Sequence, residues 1–289
     1  MARMTAVVTG GTSGIGLAAA FALARRGFRI VLVARDPARA ETALVRLRRI
    51  APEAGHAVHI ADLSRLSEMR RVGAVVAAAE PRIDVLVNNA GAWFGERIET
   101  EDGFEATFAL DHLAYLVVTD ALLPSLVAAA PARIVSTASE AHRLARLDFD
   151  DLQGRRHYRG FAAYARAKLC NILFTRELAR RLAGTGVTAN AFHPGFVASR
   201  FGDAERAGPG RRLFGLAKRF FAVSPEAGAD TLVFLATAPD VEGQTGGYYA
   251  ARRLRRPSRA AQDDGAARRL WDVSAALTGI GGQTAAGRP

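Results

Sequence analysis

The sequence predicts a doubly wound α/β fold, with a mostly parallel sheet of about seven strands and helices on both faces, on the strength of three observations. Short β-branched runs recur without strict apolar–polar alternation, as strands do when helices cover both faces of a sheet. Between the runs lie stretches long enough for crossover helices. A glycine-rich turn, Thr9-Gly10-Gly11-Thr12-Ser13-Gly14-Ile15-Gly16, joins the first run to the first of those stretches.

Taken in order, strands are expected at 6–9, 29–34, 56–60, 84–88, 133–137 and 187–192, and helices at 14–26, 37–50, 66–79, 104–129 and 161–183. An irregular insert occupies 141–160, a variable substrate segment 196–223, and a flexible tail rich in Gly, Thr and Ala begins at 279. No linker interrupts the alternation, so residues 1–278 are read as one domain.

With 289 residues, 49% hydrophobic and 23% charged, the chain is no disordered segment, collagen-like repeat or disulfide-dense miniprotein. One cysteine, Cys170, leaves no internal disulfide and no thiolate cluster, which fits a cytoplasmic protein. The most uniform apolar run, 16–24, is shorter than the ~18 to 20 residues that span a bilayer, and no signal-peptide pattern precedes the first strand. No transmembrane segment is therefore expected. The net charge of +11 comes largely from arginines scattered along helix faces, with a cluster at Arg252, Arg253, Arg255, Arg256 and Arg259 that lacks interleaved aromatics. That cluster reads as solvated surface, and nucleic acid is not expected as a partner. His142, His157 and His193 show no metal-ligand spacing, so no metal is expected.

In the glycine-rich turn, Gly10 permits the tight bend, Gly14 lets backbone approach a pyrophosphate, and Gly16 allows close helix packing. The helix N-terminus then faces negative charge. The spacing Gly-x-x-x-Gly-x-Gly, together with Asn88-Asn89-Ala90-Gly91, Ser139, Tyr164-Ala165-Arg166-Ala167-Lys168 and Pro194-Gly195, resembles the short-chain dehydrogenase/reductase family. These motifs fall in order, one at each strand end. Arg35-Asp36, Asp102-Gly103-Phe104-Glu105, Phe149-Asp150-Asp151-Leu152 and the stretch 173–182 are most similar to the branch of retinol dehydrogenases and WW-domain oxidoreductases. The similarity runs over about residues 5–200 and resumes weakly at 270–274. It implies a Rossmann-type fold and an NAD(P)-dependent oxidoreductase.

Cofactor choice turns on the end of the second strand. An acid there accepts hydrogen bonds from a ribose 2′-hydroxyl, whereas an arginine pairs with a 2′-phosphate. Asp36 stands at the spacing of an NAD-type acid, but Asp36-Pro37 also reads as a helix N-cap followed by proline, which explains the acid without a ligand. With Arg35 free to clamp phosphate, NADP(H) is preferred over NAD(H). The resemblance further implies cofactor contacts from Thr12, Ser13 and Ile15 of the turn, from Asp62 and Leu63, and from Asn89, Ala90 and Gly91. It adds Tyr164, Lys168, Pro194, Gly195, Val197 and Ser199. Asp62 has a second reading as a helix cap before Ser64.

Tyr164 and Lys168 are four residues apart, so on a helix they share a face, and the ammonium can lower the phenol pKa from its usual ~10. Tyr164 is thus the expected acid–base group and Lys168 its modifier. Ser139 is the expected oxyanion donor, with Ser136 as the rival hydroxyl. One departure stands out: Asp111 occupies the position where the family pattern places the asparagine of its catalytic tetrad. A carboxylate near Lys168 would partly neutralise the charge that activates Tyr164. Activity is still expected, slow or shifted in pH optimum; a dinucleotide-binding sensor or scaffold with weakened catalysis is the alternative.

Aromatics crowd the segments expected above the strand ends: Trp93 and Phe94, then Phe196, Phe201, Phe214, Phe220 and Phe221. They suggest a small apolar carbonyl or alcohol substrate, with Trp93, Phe196 and Phe201 as candidate contacts, or else they anchor loops to the core. The family's usual homodimer or homotetramer is built on helices 103–129 and 161–183, with a monomer as the alternative.

Overall fold

The computed structural model describes residues 3–195 and 224–281. Phe196, Val197, Ser199, Phe201, the rest of the expected substrate segment and the last eight positions of the expected tail lie outside the described residues.

Six strands follow the predicted order: β1 (Thr5–Thr9), β2 (Arg29–Ala34), β3 (Ala57–Ile60), β4 (Val85–Asn88), β5 (Ala132–Thr137) and β6 (Val187–Phe192). Two more, β7 (Tyr248–Ala250) and β8 (Arg253–Leu254), extend the sheet to eight, against an expectation of about seven. The two-residue β8 pairs antiparallel to β7 through a turn in which Ala251 and Arg252 take positive φ. Its exposed basic sequence carries no strand signal.

The spatial order is β3-β2-β1-β4-β5-β6-β7-β8, and all pairs but the last are parallel. The direction of winding reverses between β1 and β4, so a crevice opens at the carboxyl ends of these two strands, where doubly wound sheets bind ligands. β1 and β4 are buried along their whole length, which is why their sequences are continuous apolar runs.

The helices are α1 (Gly14–Ala24), α2 (Pro37–Ile50), α3 (Leu66–Ala79), α4 (Ala106–Ala128), α5 (Gly160–Arg181), α6 (Pro225–Thr237) and α7 (Asp264–Thr278). Alternate residues of β1 feed two cores. Val7 packs with Leu113, Leu116, Leu169 and Leu173 beneath α3, α4 and α5. Ala6 and Val8 pack with Ala19, Leu23 and Leu232 beneath α1 and α6.

Among the described residues α4, 23 residues long, is the one helix long and apolar enough to cross a membrane, longer than the 16–24 run. Asp111, His112 and Asp120 interrupt its apolar pattern in sequence, and 83% of its most apolar stretch is buried inside the protein, as in a core helix. At the end of α7, Gly279 takes φ +62° and caps the helix, and the Ile280 amide donates to the Ala275 carbonyl at 3.0 Å.

Candidate active site

The turn between β1 and α1 is built as its glycines require. Gly10 lies at φ +66°, and a Cβ on it would sit 2.8 Å from the Ala90 Cα. On Gly16 a Cβ would sit 2.5 Å from Asn89 Nδ2 and 2.6 Å from the Gly10 carbonyl oxygen. Close packing at Gly16 is thus against the turn and the loop after β4. Thr9 ties the same loops: its hydroxyl accepts from the Asn89 and Ala90 amides at 2.9 and 3.1 Å and donates to the Val87 carbonyl at 3.3 Å. Asn89, expected along the cofactor, spends its amide nitrogen on the Thr9 carbonyl (3.1 Å), while its side-chain oxygen accepts from Thr137 (3.4 Å). Its side chain braces β1, β4 and β5 against one another.

The first turn of α1 holds no acidic side chain, and its cap residue Ser13 makes no side-chain cap bond, so the positive helix end remains open to an anion. Beside it a cavity of about 330 Å³ is lined by Thr12, Ser13, Leu17, Arg39, Thr42, Ala43 and Arg46. A basic cradle at a helix N-terminus suits the phosphates of a dinucleotide. At the end of β2, Asp36 caps α2 by accepting from the Ala38 and Arg39 amides at 3.0 and 3.1 Å, and its other oxygen pairs with Arg39 at 3.3 Å. Arg35 is exposed. Asp62 accepts from both the amide and the hydroxyl of Ser64, at 3.0 and 2.8 Å, and Leu63 is buried.

The catalytic candidates converge from three elements. Tyr164 and Lys168 lie one turn apart on α5, with the Lys168 ammonium 5.3 Å from the Tyr164 ring centre. Ser139, at the end of β5, hydrogen-bonds the Tyr164 side chain, while Ser136 is buried inside the strand. Ser139 is held by the turn it caps: its hydroxyl accepts from the Ala141 amide at 3.2 Å, and its carbonyl accepts from the His142 ring at 2.7 Å.

Asp111 sits in a five-residue π-helical turn of α4, Ala109–Leu113, a deformation that often marks functional sites. The wider turn carries its carboxylate to Lys168, 2.8 Å away, and the pair is 0% and 3% exposed. The other oxygen accepts from the Ala92 amide at 2.8 Å.

These neighbours set the protonation balance. Burial pushes the Asp111 carboxyl up against the pull of Lys168. Burial opposes the Lys168 charge, yet the Asp111 carboxylate, with Tyr115 and Tyr164, leaves its pKa raised. Tyr164 departs from expectation. Lys168 and the Ser139 hydrogen bond do pull its pKa down, but burial is the largest influence and Asp111 opposes the pull, so the phenol ends above its ordinary value.

Trp93 meets Phe161 edge-on at 5.9 Å, and Phe161 lies 6.4 Å from Tyr164, which makes an aromatic wall beside the phenol. Sequence reasoning missed Phe161. Its signal was the i, i+3 spacing to Tyr164 on the exposed side of α5. Also missed was Glu140, which follows Ser139, accepts from Tyr248 at 3.0 Å and lies 3.2 Å from His193, next to Pro194 and Gly195. Arg252 of the basic cluster is ion-paired with Asp230.

A family model described as short chain dehydrogenase matches residues 4–209. The chain belongs to the short-chain dehydrogenase family. As a short-chain dehydrogenase it binds an NAD(P) dinucleotide and is an oxidoreductase. It is 40% identical to "Retinol dehydrogenase 14" of Mus musculus, over 96% of this chain and 86% of that protein. It is 43% identical to the "Putative daunorubicin C-13 ketoreductase DnrU" of Streptomyces sp. (strain C5), over 95% and 92%. Among solved structures it is similar to an actinorhodin polyketide ketoreductase crystallised with NADPH, with a TM-score of 0.67 and 25% identity over 86% of this chain and 95% of that one.

Proposed function

We propose that the chain exchanges hydride between NADP(H) and an apolar aldehyde, ketone or secondary alcohol, acting chiefly as a carbonyl reductase. The observation that carries this reading is the Tyr164 phenol, hydrogen-bonded to Ser139, near the Lys168 ammonium and beside the Trp93–Phe161 wall. The bound nicotinamide supplies or accepts the hydride. Tyr164 delivers the proton to the carbonyl oxygen, Ser139 donates a hydrogen bond to the same oxygen, and Lys168 stabilises the phenolate left behind. Gly10, Ser13, Gly14 and Gly16 bring the α1 N-terminus to the pyrophosphate.

NADP(H) over NAD(H) is supported by the division of labour after β2. Asp36 is committed to capping α2, while Arg35 is exposed and able to clamp a 2′-phosphate. The names of the relatives, a retinol dehydrogenase and a ketoreductase, support alcohol–carbonyl exchange on apolar substrates. The single buried cysteine supports a cytoplasmic location.

The test is consumption of NADPH and NADH with a panel of apolar aldehydes and ketones, using Tyr164→Phe as the control. The variant is expected to bind NADPH as the parent does and to lose turnover by about 10²- to 10⁴-fold. Retained turnover would remove Tyr164 from the mechanism, and a preference for NADH would remove Arg35 as selector. Tight NADPH binding with no turnover of any carbonyl by the parent would favour the sensor reading, which the neutralised Lys168 motivates.

A further inference from the structure

We infer that Asp111 makes the site directional in its pH response: by holding Lys168 in a buried ion pair it keeps Tyr164 protonated to higher pH, favouring carbonyl reduction over alcohol oxidation near neutrality. This rests on the assignment of Tyr164 as the acid–base group. A carboxylate at position 111 does here what a carboxamide would not. The bond from the Ala92 amide to one oxygen of Asp111 at 2.8 Å needs only a carbonyl-type acceptor, which asparagine also offers. The second oxygen is the difference: in the ionised carboxylate it shares the negative charge, and it lies 2.8 Å from the Lys168 ammonium.

The pair is sealed from solvent. Asp111 is fully buried, Lys168 nearly so, and the loop after β4 lies so close that a Cβ on Gly91 would sit 2.9 Å from the Asp111 carboxylate. In such surroundings charge is weakly screened, so an anion in contact with Lys168 cancels much of its effect on Tyr164. Among the described residues, the charged and titratable groups facing Tyr164 come from three elements: Lys168 on its own helix, Asp111 with Tyr115 on α4, and the Ser139 hydroxyl after β5. Without Asp111, the phenolate of Tyr164 becomes the anion best placed to balance Lys168.

Direction follows from proton balance. In reduction the carbonyl carbon gains a hydride, and its oxygen takes the Tyr164 proton, so the phenol form is needed. In oxidation the phenolate takes the alcohol proton while the carbon gives up hydride to the oxidised nicotinamide. A phenol held protonated supports the first across neutral pH and confines the second to alkaline pH.

Asp111→Asn tests this, with Asp111→Ser as a second uncharged variant should the amide disturb the site. Phenolate formation is followed by ultraviolet difference absorbance in cofactor-free parent and variant. The same titration of the matching Tyr164→Phe proteins is subtracted to isolate Tyr164. The expected result is a Tyr164 transition lower by about one pH unit in the variant, with the rising limb of kcat/KM for alcohol oxidation displaced equally. A transition that stays in place or moves up overturns the inference. Because the titration does not depend on turnover, it is separable from the failure of Tyr164→Phe to abolish activity, which would instead overturn the assignment on which the inference rests.

Discussion

His112, the neighbour of Asp111, shows at the scale of one residue how burial decides charge. Its Nε2 lies 2.9 Å from the Ser274 hydroxyl, its ring packs on Phe108 and Phe174, and it is 1% exposed. Burial drives its pKa down to about 3, against a smaller upward pull from Asn171. A histidine held neutral in the fold and free to protonate in the unfolded chain stabilises fully above its unfolded pKa of ~6.5. That contribution is lost as pH falls from there toward the folded value. Between pH 7 and pH 5 the parent should therefore lose about 2 kcal/mol more stability than His112→Gln. Urea unfolding at the two pH values checks this; equal losses in the two proteins would mean that His112 does not carry the acid sensitivity.

At the scale of elements, the turn between β1 and α1 and the loop after β4 behave as one interlocked piece. Thr9 and Asn89 bridge them, and Gly10 and Gly16 leave no room for a methyl group. Gly16→Ala is predicted to push the turn off Asn89, with overpacking of about 1 to 3 kcal/mol. NADPH binding, read by fluorescence titration, should weaken about tenfold or more, since roughly 1.4 kcal/mol is tenfold. Unchanged affinity would show that the turn shifts freely and that its close packing does not shape the site. The π-helical turn of α4 belongs to this scale too. A regular α-helix would not carry the same residue numbers to the same face, and here the widened turn sets Asp111 against Lys168.

At the scale of the whole molecule, α7 returns the end of the described chain to the helix pair that carries the candidate site. Trp271 stacks on Phe174 of α5 at 5.8 Å, and the Arg181 guanidinium lies 4.4 Å over its indole. His112 of α4 reaches Ser274 of α7, and Arg176 of α5 pairs with Asp264 at 2.7 Å. The pair on which a family dimer would be built therefore has part of its surface taken by the chain's own helix. Trp271→Ala should lower stability by about 2 kcal/mol, less than a fully buried tryptophan would, because the indole is only partly buried. Denaturant midpoints measure it, and NADPH affinity should stay unchanged because α7 packs away from the glycine-rich turn. A stability within 0.5 kcal/mol or so of the parent would mean that α7 is not anchored through Trp271.

The sequence by itself determined the sheet from β1 to β6, the crossover helices, the strand-end positions of Gly10, Asn89, Ser139 and Pro194, and the helical pair Tyr164 and Lys168. Those are local matters: apolar periodicity and turn glycines act over a few residues, so they are legible in one dimension. It also placed Asp36 as a cap, because the Asp-Pro pair carries its own hydrogen-bonding logic. Only the tertiary structure decided that Asn89 braces three strands, that Phe161 and Trp93 meet beside Tyr164, and that Asp111 touches Lys168. It also reversed the expected direction for Tyr164, because desolvation depends on what the whole fold packs around a group, and that outweighs the one neighbour visible four residues away.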